Sequence, residues 1–228
     1  MDKNKVFVFI GAPGSGKGSI SSLCVEKFKW KQLSTGELCR KHIKEQTEIG
    51  KQIDFSIKSG KLVSDSIIIE MVNEWLGEQL DLGETIILDG YPRTFAQAEA
   101  LDAFLKERFS KSDLKVVRFI LPDEVAIDRL CERYVCKNID CQAIFSMASG
   151  SGLKPKIEMV CDICSSPLKR RSDDTRESVA ERLKIFHEHE KKLLDFYNQK
   201  EVSIYELNVQ NPLGVVFENF KELIGLED

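Results

Sequence analysis

The chain has 228 residues, of which 42% are hydrophobic and 31% charged, and its formal net charge is −4. This length suits one large domain or a core that carries small inserts, and it can bury a sizeable core. The acidic balance argues against a nucleic-acid polymer as partner. No apolar run reaches about 18 residues, so we expect no membrane span.

Five short apolar runs predict the strands of a sheet. Most are nearly continuous rather than alternating, which is typical of parallel strands buried on both faces. In chain order they are VFVFI (6–10), KQL (31–33), TIIL (85–88), VVRFIL (116–121) and VSIYEL (202–207).

Longer amphipathic stretches between these runs predict helices. Residues 65–80 repeat side chains at helical spacing, and residues 176–198 do the same. The first stripe consists of Ile68, Met71, Val72, Trp75 and Gln79. Residues 174–177, Asp-Thr-Arg-Glu, have the pattern of a capping box. Alternating strands and helices predict a doubly wound α/β sheet, onto which residues 34–63 and 134–172 are inserted.

The stretch GAPGSGKGS (11–19) follows the first predicted strand and precedes a helix that we expect to begin near Lys17. Glycines let a backbone wrap a phosphate, and the helix N-terminus adds its dipole to the pull of the amide groups. The usual hydroxyl after the lysine is replaced by Gly18, and Ser19 supplies it one position later. A glycine-rich turn with a nearby lysine is the structural alternative.

The order of these motifs resembles the nucleoside monophosphate kinases, and the adenylate kinase family in particular. The resemblance extends from residue 6 to about 215, which is nearly the whole chain. The segments that carry it are GAPGSGKGS (11–19), LSTGELCR (33–40), GKLVSD (60–65), LDGYPRTFAQAEAL (88–101), LPDEVAIDRLCERY (121–134) and RRSDDTRESVAERL (170–183).

The resemblance implies a P-loop three-layer α/β/α fold with a parallel sheet of about five strands. The core would comprise residues 1–33, 64–132 and 175–228. Residues 34–63 would form the AMP-binding insert, and residues 133–174, here called the lid, would close over ATP. The implied reaction is the reversible transfer of the terminal phosphoryl group of ATP to AMP, with Mg²⁺ bound to ATP.

The resemblance also implies the roles of individual residues. Catalytic charge stabilisation falls to Lys17, Arg93, Arg129, Arg171 and Arg182. The ATP-binding residues would be Gly14, Ser15, Gly16, Lys17, Gly18, Ser19, Arg129, Arg133, Ile144, Phe145 and Asn211. The AMP-binding residues would be Thr35, Gly36, Arg40, Lys61, Leu62, Val63, Gly90, Tyr91, Pro92, Arg93, Gln97, Arg171 and Arg182. Asp89 would orient Mg²⁺ through water. Because Arg129 and Arg133 are four residues apart, we expect both to project from one helix face.

Four cysteines are paired within the lid as Cys136-x₄-Cys141 and Cys161-x₂-Cys164. In a reducing compartment such spacing favours a structural zinc site with four thiolates. Adenylate kinases with a zinc lid have two residues between the first pair, so this chain carries two more. Unliganded thiols and iron acquired on expression are the alternatives.

Several classes of protein compete with this interpretation. A switch-type GTPase or a general P-loop ATPase would place the hydroxyl directly after Lys17. A uridylate/cytidylate kinase would share the fold and chemistry, and a zinc-ribbon module without catalysis would bind RNA or protein. We expect a cytoplasmic monomer that binds ATP and AMP, with neither a membrane nor a nucleic-acid polymer as partner.

Overall fold

The computed structural model of the chain describes residues 5–58, 63–108, 113–138, 140–148 and 151–226. Eight helices and eight strands lie in these ranges. In chain order they are β1 (Lys5–Gly11), α1 (Lys17–Phe28), β2 (Lys31–Ser34), α2 (Thr35–Lys44), α3 (Glu48–Lys58), α4 (Asp65–Asp81), β3 (Ile86–Asp89), α5 (Phe95–Arg108), β4 (Asp113–Ile120), α6 (Asp123–Cys131), β5 (Arg133–Cys136), β6 (Ile144–Ser146), β7 (Leu168–Lys169), α7 (Arg176–Gln199), β8 (Ile204–Asn208) and α8 (Leu213–Ile224). None of the helices within these ranges has the length and apolar character needed to cross a bilayer.

Five strands form one sheet in the order β2-β3-β1-β4-β8. Strand β3 pairs in parallel with β1 on one side and with β2 on the other, and Ile86 lies opposite both Val6 and Lys31. The apolar residues of β1 and β3 are buried, as expected of strands covered on both faces. The five-stranded parallel sheet with flanking helices confirms the predicted P-loop α/β fold.

The chain divides into two compact units. The first contains the described parts of residues 1–10, 21–117 and 189–205, and the second those of residues 11–20, 118–188 and 206–228. Helices α2 to α5 belong to the first unit. The glycine loop, α6 and strands β5 to β7 belong to the second.

Within the first unit, α2 and α3 pack closely against each other. A Cβ atom on Gly50 would lie 2.0 Å from the carbonyl oxygen of His42, so only glycine allows this approach. The hydroxyl of Thr47 accepts the Gly50 amide proton at 3.0 Å and lies 2.9 Å from His42 Nδ1. Where it is described, the predicted insert at residues 34–63 consists mainly of α2 and α3.

Helix α4 buries a slightly different stripe from the predicted one. Its Ile68, Met71 and Val72 are buried as expected, whereas Trp75 and Gln79 are only half-buried. Buried Leu76 and Leu80 continue the stripe instead. These leucines occupy the same broad apolar face and leave the polar residue Gln79 only half-buried.

Within the second unit, three short strands form an antiparallel sheet in the order β6-β5-β7. Its buried cluster consists of Cys136, Phe145, Cys161 and Leu168. This sheet occupies the part of the chain that was predicted to be the lid.

Helix α7 begins one residue later than the capping-box prediction requires. The hydroxyl of Thr175, not the carboxylate of Asp174, accepts the amide proton of Ser178 at 3.2 Å. The Asp174 carboxylate binds Arg133 instead, so the predicted cap was wrong by one position.

Candidate active site

The glycine loop lies between β1 and α1, and α1 begins at Lys17 as predicted. Gly14 and Gly16 have φ angles of +83° and +84°, a region that residues with a Cβ rarely adopt. At Gly14 a Cβ would also lie 2.8 Å from the carbonyl oxygen of Ala126. The loop therefore needs glycine at both positions for its turn.

The ammonium group of Lys17 is held by the loop itself. Its Nζ donates to the carbonyl oxygens of Gly11 and Ala12 at 2.7 and 3.0 Å, and to the Ser15 hydroxyl at 3.3 Å. The lysine is thus folded over the turn, with its charge next to the backbone that precedes the N-terminus of α1. An anion bound at this helix end would meet both the lysine and the amide groups of the first turn.

Arg129 and Arg133 do not share a helix face, contrary to the prediction. Helix α6 ends at Cys131, and Arg133 is the first residue of β5, paired opposite Ser146. Arg133 donates through Nε and Nη2 to both carboxylate oxygens of Asp174, at 2.8 and 2.6 Å. Because Arg133 pairs in a strand and binds Asp174, it is not part of the helix that contains Arg129.

Arg182 extends the same group of charges. Its Nη1 lies 3.2 Å from a carboxylate oxygen of Asp173 and 3.4 Å from one of Asp174. Arg171 is half-buried in the connection between β7 and α7, where its carbonyl accepts the amide of Asp174 at 3.3 Å. Three arginines that were predicted to bind phosphates therefore lie on or beside a short segment that contains two acids.

Arg129 holds the loop that follows β8. Its Nη2 donates to the carbonyl oxygen of Val209 at 2.7 Å, and burial lowers the pKa of its guanidinium. The Asn208 side chain accepts the Gln210 amide proton at 3.0 Å, which closes a local turn. Asn211, the residue predicted to lie near the ATP base, is exposed two residues after Val209.

Two further residues predicted to bind ATP are in β6. Ile144 is half-buried, whereas Phe145 is only 7% exposed and packs in the apolar cluster of the small sheet. Most of the Phe145 ring therefore contributes to the packing of the lid.

In the first unit, Thr35, Gly90 and Arg93 are joined by hydrogen bonds. The Thr35 hydroxyl donates to the Gly90 carbonyl at 2.9 Å, and the Nε of Arg93 donates to the same carbonyl at 2.8 Å. Arg93 Nη2 also lies 3.4 Å from the Thr35 oxygen. Gly90 has a φ of +77°, and a Cβ there would lie 2.9 Å from Arg93 Nη2. The exposed guanidinium is therefore held at the end of β3.

Gln97 lies next to this group and is 4% exposed. Its Oε1 accepts the backbone amide proton of Arg93 at 2.7 Å, and its Nε2 donates to Asp65 at 2.7 Å. Asp65 also accepts from the Thr94 hydroxyl at 2.8 Å. We call Asp65, Arg93, Thr94 and Gln97 the Gln97 network. Asp65 was not predicted as a site residue, although it ends the quoted segment GKLVSD and opens α4.

Asp89 is the last residue of β3, as expected of an acid at the carboxyl end of a strand. Its Oδ2 accepts a hydrogen bond from Gln32 at 3.3 Å, and the residue is half-buried. A carboxylate in this setting can accept further hydrogen bonds from water.

Two more of the predicted AMP-side residues, Gly36 and Arg40, are in α2. Gly36 and Arg40 are one turn apart, and a Cβ on Gly36 would lie 3.2 Å from Arg40 Nη1. Burial raises the pKa of the neighbouring Cys39 thiol, while the charges of Arg93 and Arg40 partly offset that rise. Tyr91 and Pro92 are buried, and Val63 is half-buried. Lys61 and Leu62 lie outside the described residues.

The four cysteines of the lid, which we call the cysteine cluster, come together. Their sulfur atoms all lie within 4.8 Å of one another, with Cys136 and Cys164 at 3.4 Å and Cys141 and Cys161 at 3.7 Å. Four sulfurs around a zinc ion, each about 2.3 Å from it, would be about 3.8 Å apart. The cluster therefore has the size of a tetrahedral thiolate site.

A turn at Asn138 accommodates the longer spacing between Cys136 and Cys141. The carbonyl of Asn138 accepts the amide protons of Cys141 and Gln142 at 3.2 and 2.9 Å, and its side chain accepts that of Asp140 at 3.0 Å. These bonds return the chain to Cys141 despite the two additional residues. Burial raises the pKa of the Cys141 thiol to about 12, so a metal would have to displace its proton.

Comparisons with known proteins show the family to which the chain belongs. The adenylate kinase family model matches residues 9–202. A Clostridium tetani adenylate kinase is 37% identical over 96% of this chain and 97% of its own length. Those of Caldicellulosiruptor bescii and Archaeoglobus fulgidus are 39% and 35% identical, over 96% and 95% of the chain and 99% and 96% of their own lengths. The chain therefore belongs to the adenylate kinase family of phosphotransferases.

Proposed function

We propose that the chain transfers the terminal phosphoryl group of ATP to AMP by positioning and charge stabilisation, with the roles assigned below. The observation that carries this proposal is Lys17, folded over a glycine loop at the start of α1, in a chain of the adenylate kinase family. The transfer is reversible and gives two ADP.

The glycine loop would bind the phosphates of ATP. Lys17 would exchange its bonds with the loop carbonyls for bonds with phosphate oxygens, while amide groups from Gly14 to Ser19 donate to the same anion. The loop after β8, held by Arg129, would bring the backbone near Asn211 to the base. Ile144 and Phe145 would support ATP from the lid.

The arginines would stabilise the charge that develops during transfer. The acceptor phosphate of AMP has a second pKa of about 6, so near neutral pH it needs no protein base. The chemical difficulty lies in spreading negative charge over the oxygens of the transferred group. Arg129, Arg171 and Arg182 would donate to these oxygens, and Arg133 would bind phosphate while Asp174 holds its guanidinium.

The first unit would bind AMP. Arg93 and Arg40 would bind its phosphate as planar guanidinium groups, which suit the geometry of phosphate oxygens. Gln97 would contact the adenine base through the small part of its side chain that is exposed. The residues assigned to the base and sugar are Thr35, Gly36, Lys61, Leu62, Val63, Gly90, Tyr91 and Pro92.

Asp89 would take part in magnesium binding through water. Its half-buried carboxylate stands at the end of β3 with one hydrogen bond to Gln32, and oxygen ligands are those that Mg²⁺ prefers. The ion, when bound with ATP, neutralises part of the phosphate charge. The contribution of the chain is to hold the carboxylate and the water that it binds.

The cysteine cluster would hold a structural zinc ion. The distances among the four sulfurs fit a tetrahedral site, and four protein ligands leave no open position for chemistry. The ion would stiffen the small sheet rather than react. Metal analysis of the purified protein separates zinc from iron and from unliganded thiols.

We assign the AMP-binding insert to residues 34–63, the lid to residues 133–174 and the core to the remainder. Inserts that close over the substrates would keep water from the terminal phosphate of ATP. The chain would act as a cytoplasmic monomer, in a reducing compartment that suits its free thiols.

The proposal is tested by a coupled assay of ADP formation from ATP with AMP, CMP, UMP or GMP. We expect AMP to be the best acceptor and Lys17→Ala to lower kcat by about 10²–10³-fold, because one preorganised donor to the developing charge is lost. Thermal unfolding checks that the variant remains folded. Turnover near that of the wild type in folded Lys17→Ala would contradict the mechanism. Faster turnover with CMP or UMP than with AMP would reassign the acceptor.

A further inference from the structure

We propose that Asp65 is a positioning residue for base selection, which holds the Gln97 amide in the orientation that fits adenine and opposes guanine. The inference rests on the proposed function, in which Gln97 contacts the base of AMP. It adds a residue with no assigned role in that function.

Both carboxylate oxygens of Asp65 are used within the first unit. One accepts from Gln97 Nε2 at 2.7 Å and the other from the Thr94 hydroxyl at 2.8 Å. The Thr94 oxygen in turn accepts the backbone amide proton of Gln97 at 3.2 Å, which closes a ring of three residues. Asp65 is also the first residue of α4, where the helix dipole favours a negative charge.

These contacts fix which end of the Gln97 amide is oxygen and which is nitrogen. A carboxylate can only accept, so the group that faces Asp65 must be the NH₂. A backbone N–H can only donate, so the group that faces Arg93 N, 2.7 Å away, must be the oxygen. Rotating the amide by 180° would place oxygen against carboxylate and NH₂ against N–H. Both contacts would be repulsive, and the contact with the Asp65 carboxylate is the one that involves a charge.

The fixed Gln97 amide presents its donor and its acceptor to a base in one order only. A glutamine amide has two N–H donors and two oxygen lone pairs, and among the described residues Asp65 and Arg93 take one of each. One donor and one acceptor remain. Adenine offers an N1 acceptor beside an N6 donor, whereas guanine offers an N1–H donor beside an O6 acceptor. With the amide fixed, the order that matches adenine opposes guanine.

Removing the carboxylate should therefore change recognition of the acceptor more than recognition of ATP. For Asp65→Ala we expect KM for AMP to rise about tenfold while KM for ATP stays within about twofold, in line with the loss of one charge-assisted hydrogen bond. The ratio of kcat/KM for AMP to that for GMP should fall about tenfold. The AMP-to-CMP ratio should change little, because cytosine presents its donor and acceptor in the same order as adenine.

Asp65→Asn is the conservative variant. Its side-chain oxygen can still accept from Gln97, but without the charge, so the AMP-to-GMP ratio should fall between those of the wild type and Asp65→Ala. The matched control is Asp123→Ala, because Asp123 is the first residue of α6 and its carboxylate binds His187 at 2.9 Å. This control removes an acid from a helix N-terminus and should leave both ratios unchanged.

Thermal unfolding of each variant identifies loss of fold. An unchanged AMP-to-GMP ratio in folded Asp65→Ala overturns the inference, as does an equal loss of kcat/KM for every acceptor. If Asp65→Ala does not fold, Asp65→Asn decides alone, and a wild-type ratio in that variant overturns the inference. A wild-type protein without AMP-dependent turnover overturns the proposed function instead, so the two failures are distinguishable.

Discussion

The Gln97 network of the first unit and the lid of the second unit hold their functional side chains by different means. The network lies beside β3, whose apolar residues are fully buried, and it is built from hydrogen bonds among side chains and between side chains and backbone. In the lid, the three strands contain four, three and two residues, and the buried cluster contains four side chains.

So small an apolar cluster supplies little stabilisation, and domains with too little buried surface usually depend on a metal or on disulfides. Within the described residues, the lid also contains the largely buried pair of Arg133 and Asp174. A region with a large core can therefore position groups by hydrogen bonds, some of them charge-assisted, whereas a small region needs a metal site or a buried ion pair. This comparison predicts effects of different sizes in the two regions.

The largest expected effect on stability is in the lid. Cys161→Ser removes a buried sulfur ligand from the cysteine cluster, and we expect the metal content to fall from one ion per chain to none. We also expect the melting temperature to fall by about 15 °C or more, because metal binding supplies folding free energy to small sites. Metal analysis and thermal unfolding measure both results.

The matched control is Cys131→Ser, which changes a half-buried cysteine outside the cluster. It should retain the metal, and its melting temperature should stay close to that of the wild type. Equal melting temperatures for Cys161→Ser and Cys131→Ser would show that the lid does not depend on the cluster.

In both units, a contact could be predicted from sequence only where it joins residues close together in the chain. The glycine loop, the start of α1 and the five strands of the parallel sheet follow from local patterns, and the structure confirms them. The position of Arg133 does not follow from helical spacing, because its pairing with Ser146 and its contact with Asp174 join residues distant in sequence.

Asp65 illustrates the same limit within the first unit. An acid at the first position of a helix is explained locally by the helix dipole, so sequence alone does not single it out. Its contact with Gln97 spans 32 positions and exists only after α4 and α5 have packed. The local signal that could have identified it is its place at the end of GKLVSD.

An intermediate effect is expected at the ion pair of the lid. The side chain of Asp174 is 3% exposed and that of Arg133 is 14% exposed, so Asp174→Ala leaves a largely buried guanidinium without its two-bond partner. We expect a loss of about 2–4 kcal/mol in the free energy of unfolding. Chemical denaturation measures this loss.

Asp173→Ala is the neighbouring control, since the Asp173 side chain is 54% exposed and contacts Arg182 near the surface. Asp173→Ala should lower the free energy of unfolding by less than about 1 kcal/mol. If the two variants lost the same stability, burial would not be the cause of the strength of the Arg133–Asp174 pair.

The smallest effect is expected at Thr35 in the first unit. Thr35→Val keeps the shape of the side chain but removes the hydroxyl that donates to Gly90 and lies within reach of Arg93. Because the Nε of Arg93 still donates to the Gly90 carbonyl, we expect only about 1 kcal/mol of lost stability and a rise of about fivefold in KM for AMP. Thr35→Ser keeps the hydroxyl and should restore most of the affinity for AMP, as measured by initial rates at varied AMP. A larger loss of stability in Thr35→Val than in Asp174→Ala would reverse the comparison, since a single hydroxyl hydrogen bond beside β3 would then matter more than the buried ion pair of the lid.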